Sequence, residues 1–142
     1  MTTLRQILAG KSGVYSVLPE ATVLDALRVM AEKNIGALLV MSGDRLAGVF
    51  SERDYARKVI LLGKTSRDTR VSEIMSSQVV CVGPDCTEEE AMAVMTNKRV
   101  RHLPVLEHGK VVGVVSIGDV VRVLIETQQF TIEQLQKYIQ TA

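Results

Sequence analysis

The sequence contains an internal repeat at an offset of 65 residues, and this repeat limits the folds that the chain can adopt. An ungapped pairing of residues 14–54 with residues 79–119 gives 14 identities in 41 positions. Unrelated stretches of ordinary composition would match at roughly one position in fifteen. Most of the identities are apolar or turn residues, but the last two pairs are polar: Ser51 with Ser116, and Asp54 with Asp119. The chain therefore holds two copies of one structural unit.

The length of the chain indicates that the two copies fold together. In a protein of 142 residues, copies of about 60 residues would each bury too little apolar surface to be stable alone. We therefore expect one pseudo-twofold module, with repeat 1 over residues 4–62 and repeat 2 over residues 71–126. A helix is expected over residues 131–142, where a capping box precedes an apolar stripe. That helix could dock on its own module or on a second subunit.

Each repeat has the pattern strand, helix, strand, strand, helix. In repeat 1, residues 14–18 form a β-rich run, Thr22 can cap a helix, residues 37–50 read as a hairpin, and residues 52–62 read as a second helix. Repeat 2 follows the same pattern, with strands expected at 79–82, 102–106 and 111–115 and with helices from Thr87 and up to about residue 126. Short helical segments, which we call openers, precede the repeats at residues 4–8 and 71–75.

The charge and hydropathy of the chain exclude several classes of partner. With 17 basic and 16 acidic residues the net charge is +1, which gives no field for non-specific binding to nucleic acid or membranes. The apolar runs are too short for a membrane span. The first ten residues lack the features of a secretory signal, so we expect a cytoplasmic protein.

Neither a metal site nor an active site is expected. Cys81, Cys86, His102 and His108 have a spacing that loosely imitates a Cys2His2 zinc site. Their segments read as strands and helix starts, however, so two reduced thiols and no metal are predicted. No serine-histidine-aspartate grouping or phosphate-binding glycine loop offers a nucleophile with its base. The sequence therefore predicts a protein that is not an enzyme.

The motif Ser-x-x-Asp closes both copies and allows two interpretations. In each copy it follows an apolar strand, and Gly48 or Gly113 lies three residues before the serine. Such a motif can be a capping box, in which serine and aspartate satisfy main-chain groups of the first helical turn. It can also be a nucleotide site, where the helix start and serine meet phosphate while aspartate accepts both ribose hydroxyls. The two uses can coexist.

These motifs together resemble tandem CBS domains, known as a Bateman module. The resemblance rests on the strand-Pro-x-x-Thr opening, the Gly-apolar-apolar-Ser-x-x-Asp close and the segment Arg-His-Leu-Pro-Val at 101–105, and it covers residues 4 to about 126. It implies an α/β fold of two β-α-β-β-α repeats packed sheet to sheet. It also implies two clefts that bind adenosine ligands such as AMP, ADP, ATP, NAD(H) or S-adenosylmethionine, none acting as a catalytic cofactor.

The resemblance further implies a homodimer and a regulated protein partner that the sequence does not name. The expected role is that of a sensor of adenine nucleotides. A ligand-free interaction scaffold is the alternative.

Carried over by motif position, the first cleft would use Asp54 for the ribose and Ser51 for ribose or phosphate. Adenine would lie between the backbone near Tyr15 and the turn at residues 35–37, and Arg101 and His102 would meet phosphate across the pseudo-twofold axis. The second cleft would use Asp119, Ser116, Val80 and the turn at Val100 and Arg101. The ligand contacts implied in the two clefts are Gly10, Tyr15, Ile35, Gly36, Ala37, Ser51, Arg53, Asp54, Ser76, Val80, Val100, Arg101, His102, Ser116 and Asp119.

The two clefts are expected to be unequal. The counterpart of Arg101 and His102 in repeat 1 is the uncharged pair Gly36 and Ala37. The Asp54 cleft should therefore prefer a phosphorylated ligand, whereas the Asp119 cleft should be weaker or take a less charged one. Neighbouring cations at residues 98–99 could instead be a solvated helix end, where the helix dipole favours positive charge.

Overall fold

The computed structural model describes residues 1–11, 13–129, 133 and 136–139. Over these residues the chain is a mixed α/β protein with two repeats, as the sequence predicts. The helix expected over residues 131–142 lies largely outside the described residues. None of the helices that the structure describes is long and apolar enough to cross a lipid bilayer.

Repeat 1 follows the predicted order of elements. Strand β1 (Ser16–Val17) pairs in parallel with β2 (Ala37–Ser42), and β2 pairs antiparallel with β3 (Arg45–Ser51). Between β1 and β2 lies helix α2 (Val23–Lys33), whose N-cap Thr22 accepts a hydrogen bond from the Asp25 main chain. After β3, helix α3 (Glu52–Tyr55) continues as a π-helix over Ala56–Ile60.

Repeat 2 contains helix α5 (Glu88–Lys98), the antiparallel pair β4 (His102–Glu107) and β5 (Lys110–Ser116), and helix α6 (Ile117–Thr127).

The strand expected at residues 79–82 is reduced to a single parallel bridge between Val82 and Val105. The reason lies in the partner strand. In repeat 1 the Leu39 amide donates to the Tyr15 carbonyl at 3.3 Å, whereas the residue at the position of Leu39 in repeat 2 is Pro104. Proline has no N–H to donate, so the ladder loses that hydrogen bond and the first strand of repeat 2 shortens.

The two openers are exchanged between the repeats: each packs on the other repeat and not on the one that follows it in the sequence. Opener α1 (Leu4–Ala9) packs on β5, and Leu4 is fully buried in the core of repeat 2. Opener α4 (Val71–Ile74) packs on β3, and Val71 and Ile74 belong to the core of repeat 1. Each repeat therefore needs an opener that lies beside the other repeat in the sequence, which explains why neither copy is expected to fold alone.

The equivalence of the repeats extends to the backbone. Both hairpins have a register irregularity at the same position, after Val40 and after Val105. The equivalent helices α2 and α5 both end in a left-handed residue, Asn34 with φ 54° and Arg99 with φ 55°. Asparagine tolerates this conformation well, but arginine pays roughly 1 kcal/mol for it. The helix end at Arg99 is thus held by its surroundings, and it borders the groove described next.

Candidate functional site

A groove of about 1100 Å³ runs between the two repeats. Nine of the fifteen residues predicted as ligand contacts line it: Gly36, Ser51, Arg53, Asp54, Ser76, Val80, Val100, Arg101 and His102. Val80 and Val100 were expected in the Asp119 cleft, but the structure places them in the groove that Asp54 lines. The lining comes from both copies, so the tertiary structure assembles one shared site around the first Ser-x-x-Asp motif. Apolar side chains of Val49, Val80, Val100 and Ile117 contribute to the same lining.

Six predicted contacts lie outside this lining, and the structure places them as follows. Ile35 lines a smaller cavity of about 280 Å³ next to Gly36. The Tyr15 ring packs against the repeat 1 core, with the Lys33 ammonium 5.2 Å from its centre. Ala37 pairs with Ser51 between β2 and β3, and Gly10 ends helix α1. The remaining two are Ser116 and Asp119.

Asp54 forms the predicted capping box and keeps a second oxygen toward other groups. Its Oδ2 accepts hydrogen bonds of 3.0 Å from both the Ser51 main chain and the Ser51 hydroxyl. Its Oδ1 accepts from the Ser76 hydroxyl at 3.3 Å, and the Lys58 ammonium also lies 3.3 Å from it. The residue as a whole is 8% exposed, and it borders the groove. The capping interpretation is confirmed here, and one carboxylate oxygen has only long contacts.

Asp119 forms the same capping box but carries an additional partner. Its Oδ2 accepts from the Ser116 main chain at 2.8 Å and from the Lys11 ammonium at 2.6 Å. The same ammonium donates to the Val114 carbonyl at 3.0 Å, and Arg122 lies 3.7 Å from Oδ1. Burial raises the pKa of Asp119, but the hydrogen bonds from Lys11 and Ser116 outweigh burial, so the net pKa lies below its usual value. Asp119 thus has an ammonium as a close partner within its own chain.

Sequence reasoning missed Lys11, although a signal was present. The offset of 65 residues aligns Lys11 with Ser76, and Ser76 was among the predicted contacts. Both side chains reach the aspartate of the repeat against which they pack.

His102 lies at the junction of the two repeats. A Cβ atom built on Gly36 would be 3.8 Å from His102 Cε1 and 3.8 Å from the Glu52 carboxyl carbon, so the three residues face one another. Burial lowers the pKa of His102, and the positive charge of Lys11 lowers it further. The imidazole is therefore neutral at pH 7, and it offers a ligand a hydrogen bond and not a charge.

The groove concentrates positive charge that the whole chain does not have. Among the described residues its lining holds six cations, Arg53, Arg57, Lys58, Lys98, Arg99 and Arg101, against two carboxylates, Glu52 and Asp54. Such a lining raises the local concentration of anions. Arg57 and Lys58 were not predicted, although they lie one helical turn after Arg53 and Asp54 and so share their side of the helix.

The cations of the groove also connect the repeats. An Arg53 Nη atom donates to the main-chain carbonyl of Arg99 at 3.4 Å, which joins the start of α3 to the left-handed residue that ends α5.

The cysteines are free thiols, as expected for a reduced chain. Burial raises the pKa of the Cys81 thiol and of the Cys86 thiol, which keeps both protonated and poorly nucleophilic. Within the described part of the chain, no group of three or more histidine, cysteine and carboxylate side chains could hold a metal ion.

Comparison with known proteins identifies relatives of this architecture. The family model of the CBS domain matches residues 5–60 and 71–126. A mitochondrial CBS domain-containing protein of Arabidopsis thaliana, CBSX3, is 39% identical over 149 aligned residues, covering 98% of this chain and 72% of that protein.

Solved structures are similar as well. One of a protein with CBS domains from Burkholderia ambifaria is 52% identical, with a TM-score of 0.87 and coverage of 92% of this chain and 99% of the other. A hexameric CBS-CP12 protein of bloom-forming cyanobacteria is 29% identical, with a TM-score of 0.76 and coverage of 84% and 66%.

Proposed function

This chain belongs to the CBS-domain family, and we propose that its paired repeats form a non-catalytic regulatory module that binds an adenine nucleotide in the groove. The observation that carries the proposal is the meeting of Asp54 with six cations in one lining. A carboxylate at a helix start can accept two ribose hydroxyls, while arginine and lysine side chains bind phosphate. Neither feature alone would indicate a nucleotide.

The chemistry of the lining supports a ligand with three parts. Val80, Val100 and Ile117 offer apolar surface for a flat base, as the apolar walls of small-molecule sites commonly do. Asp54 supplies the acceptor for the sugar. The cations of both repeats supply the partners for phosphate.

The charge of the groove favours some adenosine compounds over others. AMP, ADP, ATP and NAD(H) are all anions, and each is complementary to a lining with six cations. S-adenosylmethionine carries a positive sulfonium, which that lining repels. We therefore expect phosphorylated ligands to bind more tightly than S-adenosylmethionine.

The expected affinity suits a sensor. An AMP-sized ligand has about 23 heavy atoms, and about 0.3 kcal/mol per atom gives a dissociation constant near ten micromolar. Such a ligand exchanges as its concentration changes. It can shift the binding of a regulated protein partner only if it binds two states of the module with different affinity.

A homodimer is part of the proposal, and the apolar residues on the last helices of the repeats support it. Ile60 is 55% exposed and Ile125 is 44% exposed, and the offset of 65 residues relates the two. Val121, which is 39% exposed, precedes Ile125 by one turn of α6. Sedimentation of Ile125→Glu should report a monomer, whereas Val112→Glu, at a similarly exposed position on β5, should sediment as the wild type.

A cytoplasmic location stays a prediction.

Titration calorimetry with AMP, ADP, ATP, NADH and S-adenosylmethionine tests the proposed function. We expect micromolar binding of at least one phosphorylated compound and weaker binding of S-adenosylmethionine. A turnover assay with the same nucleotides should detect no product. Absence of heat and of any thermal shift with all five compounds would contradict the proposal and leave the scaffold function.

A further inference from the structure

Lys11 takes in repeat 2 the place that Ser76 takes in repeat 1. The offset of 65 residues aligns the two, and each follows an opener that packs on the other repeat. The Ser76 hydroxyl is short and reaches Asp54 Oδ1 at 3.3 Å. The Lys11 ammonium reaches Asp119 Oδ2 at 2.6 Å. The two aspartates are therefore equivalent in their capping boxes but not in what covers them.

The contact on Asp119 is a strong one. A short bond between an ammonium and a carboxylate is about twice as strong as a neutral hydrogen bond. Asp119 is 7% exposed and the Lys11 side chain is 35% exposed, so water screens the pair in part, from the lysine side. Lys11 also donates to the Val114 carbonyl at 3.0 Å. A ribose that bound Asp119 would have to displace the Lys11 ammonium from Asp119 and from the Val114 carbonyl. Ribose hydroxyls are weaker partners for the freed ammonium than the carboxylate is.

The equivalent aspartate, Asp54, has longer contacts. The Lys58 ammonium and the Ser76 hydroxyl lie 3.3 Å from Asp54 Oδ1, both longer than an ideal charged contact. Asp54 lines the groove, whereas on the side of the second motif the lining includes Ile117 and not Asp119. Asp54 and Asp119 are almost equally buried, at 8% and 7% exposure, so the difference lies in which aspartate borders the groove, and it coincides with the difference between lysine and serine.

We propose that Lys11 is a built-in competitor that closes the Asp119 crevice to nucleotide ribose, so that the module takes one nucleotide per chain, at Asp54. This inference rests on the proposed function for the Asp54 groove. It adds a specificity-determining residue from outside both Ser-x-x-Asp motifs.

Calorimetric stoichiometry with ADP tests the inference. Wild-type protein should bind one equivalent of ADP per chain. Lys11→Met, which keeps an unbranched chain but removes the charge, should bind two, with the second dissociation constant within about tenfold of the first. Lys11→Arg keeps a cation at the position and should stay at one equivalent. Lys64→Met, at an exposed lysine of the linker, is the matched control and should also stay at one.

A further variant identifies the second site. In the Lys11→Met background, Asp119→Asn should return the stoichiometry to one, and adding Asp54→Asn should weaken the remaining site about ten- to a hundredfold. Two equivalents in the wild type, or one equivalent in Lys11→Met with Asp119 intact, would overturn the inference and leave the Asp54 site standing.

Failure of the proposed function has a different signature. If wild-type protein binds none of the five compounds, the Asp54 proposal fails. Binding by Lys11→Met that depends on Asp119 would then still support the competitor role, and its absence would overturn both.

Discussion

Gly48 on β3 lies directly against the main chain of Ser76: a Cβ atom at Gly48 would be 2.8 Å from the Ser76 carbonyl oxygen. The same segment pairs with β3, because Val49 and Ser76 exchange main-chain hydrogen bonds of 2.9 and 3.0 Å. This contact brings the Ser76 hydroxyl to Asp54. The shape of the groove thus depends on a glycine three residues before Ser51.

Gly48→Ala should therefore lower the free energy of unfolding by about 1–3 kcal/mol, because a main-chain oxygen cannot move aside for the new methyl group. Gly113→Ala should cost less, since its Cβ would meet the Leu8 side chain, which can change rotamer. Urea unfolding measures both. Gly83→Ala is the control, because a Cβ there has nothing within 4 Å. Equal stability of Gly48→Ala and Gly83→Ala would show that the contact carries no strain.

Leu4→Ala should destabilise the protein by about 2–5 kcal/mol, as expected for a fully buried leucine, although Leu4 lies at the start of repeat 1 in sequence order. Leu4 is buried in the repeat 2 core, so hydrogen exchange should show the loss of protection first in β4 and β5. The control is Leu61→Ala, since Leu61 is 76% exposed. Loss of protection confined to β2 and β3 would contradict the exchange of openers.

Asp54→Asn should weaken nucleotide binding by about 1.5–3 kcal/mol, or ten- to a hundredfold, because the ribose loses a charged acceptor. Asparagine keeps an oxygen for the Ser51 main chain, so the cap should survive in part. Calorimetry gives the affinity and thermal unfolding gives the stability. Asp44→Asn, in the exposed hairpin turn, should bind as the wild type. An unaltered affinity in Asp54→Asn would mean that Asp54 is only a helix cap.

The ion pair of Lys11 and Asp119 should make stability depend on acid pH. The folded-state pKa of Asp119 lies below its usual value, which is roughly 3.9 in an unfolded chain. Its contribution is therefore fully present above that value and is lost as the pH falls through the folded-state pKa. Lys11→Met should be less stable than the wild type at pH 7, and urea unfolding should show the difference shrinking toward pH 2. A difference that does not change with pH would contradict the pair.

His102 should titrate below its usual pKa of roughly 6.5, because burial and the Lys11 charge disfavour the imidazolium. A histidine with a lowered folded-state pKa stabilises the fold above its unfolded pKa, and that stability is lost as the pH falls through the folded-state value. NMR titration of the imidazole measures it. Lys11→Met should raise the pKa of His102, and Lys64→Met should leave it in place. If the pKa of His102 does not change in Lys11→Met, the Lys11 ammonium does not lie near His102 in solution.

Much of the fold follows from local patterns. Thr22 and Thr87 cap their helices as predicted, and both Ser-x-x-Asp motifs form capping boxes, because these bonds join residues three positions apart. The hairpins follow from apolar runs around a turn. The strand predicted at residues 79–82 was too long, because the neighbouring strand lacks one N–H, at Pro104. This effect can be recognised in the sequence only when the register of the two strands is known.

The sequence by itself determined the duplication, the α/β class and the two motifs, since repeats, periodicity and helix caps depend on residues close together in the chain. Only the tertiary structure decided which opener completes which core and that Lys11 covers Asp119. Those two residues lie 108 positions apart, and their meeting depends on how α1 packs on β5. Local patterns carry no information on such a distant contact, because packing of the whole core selects it.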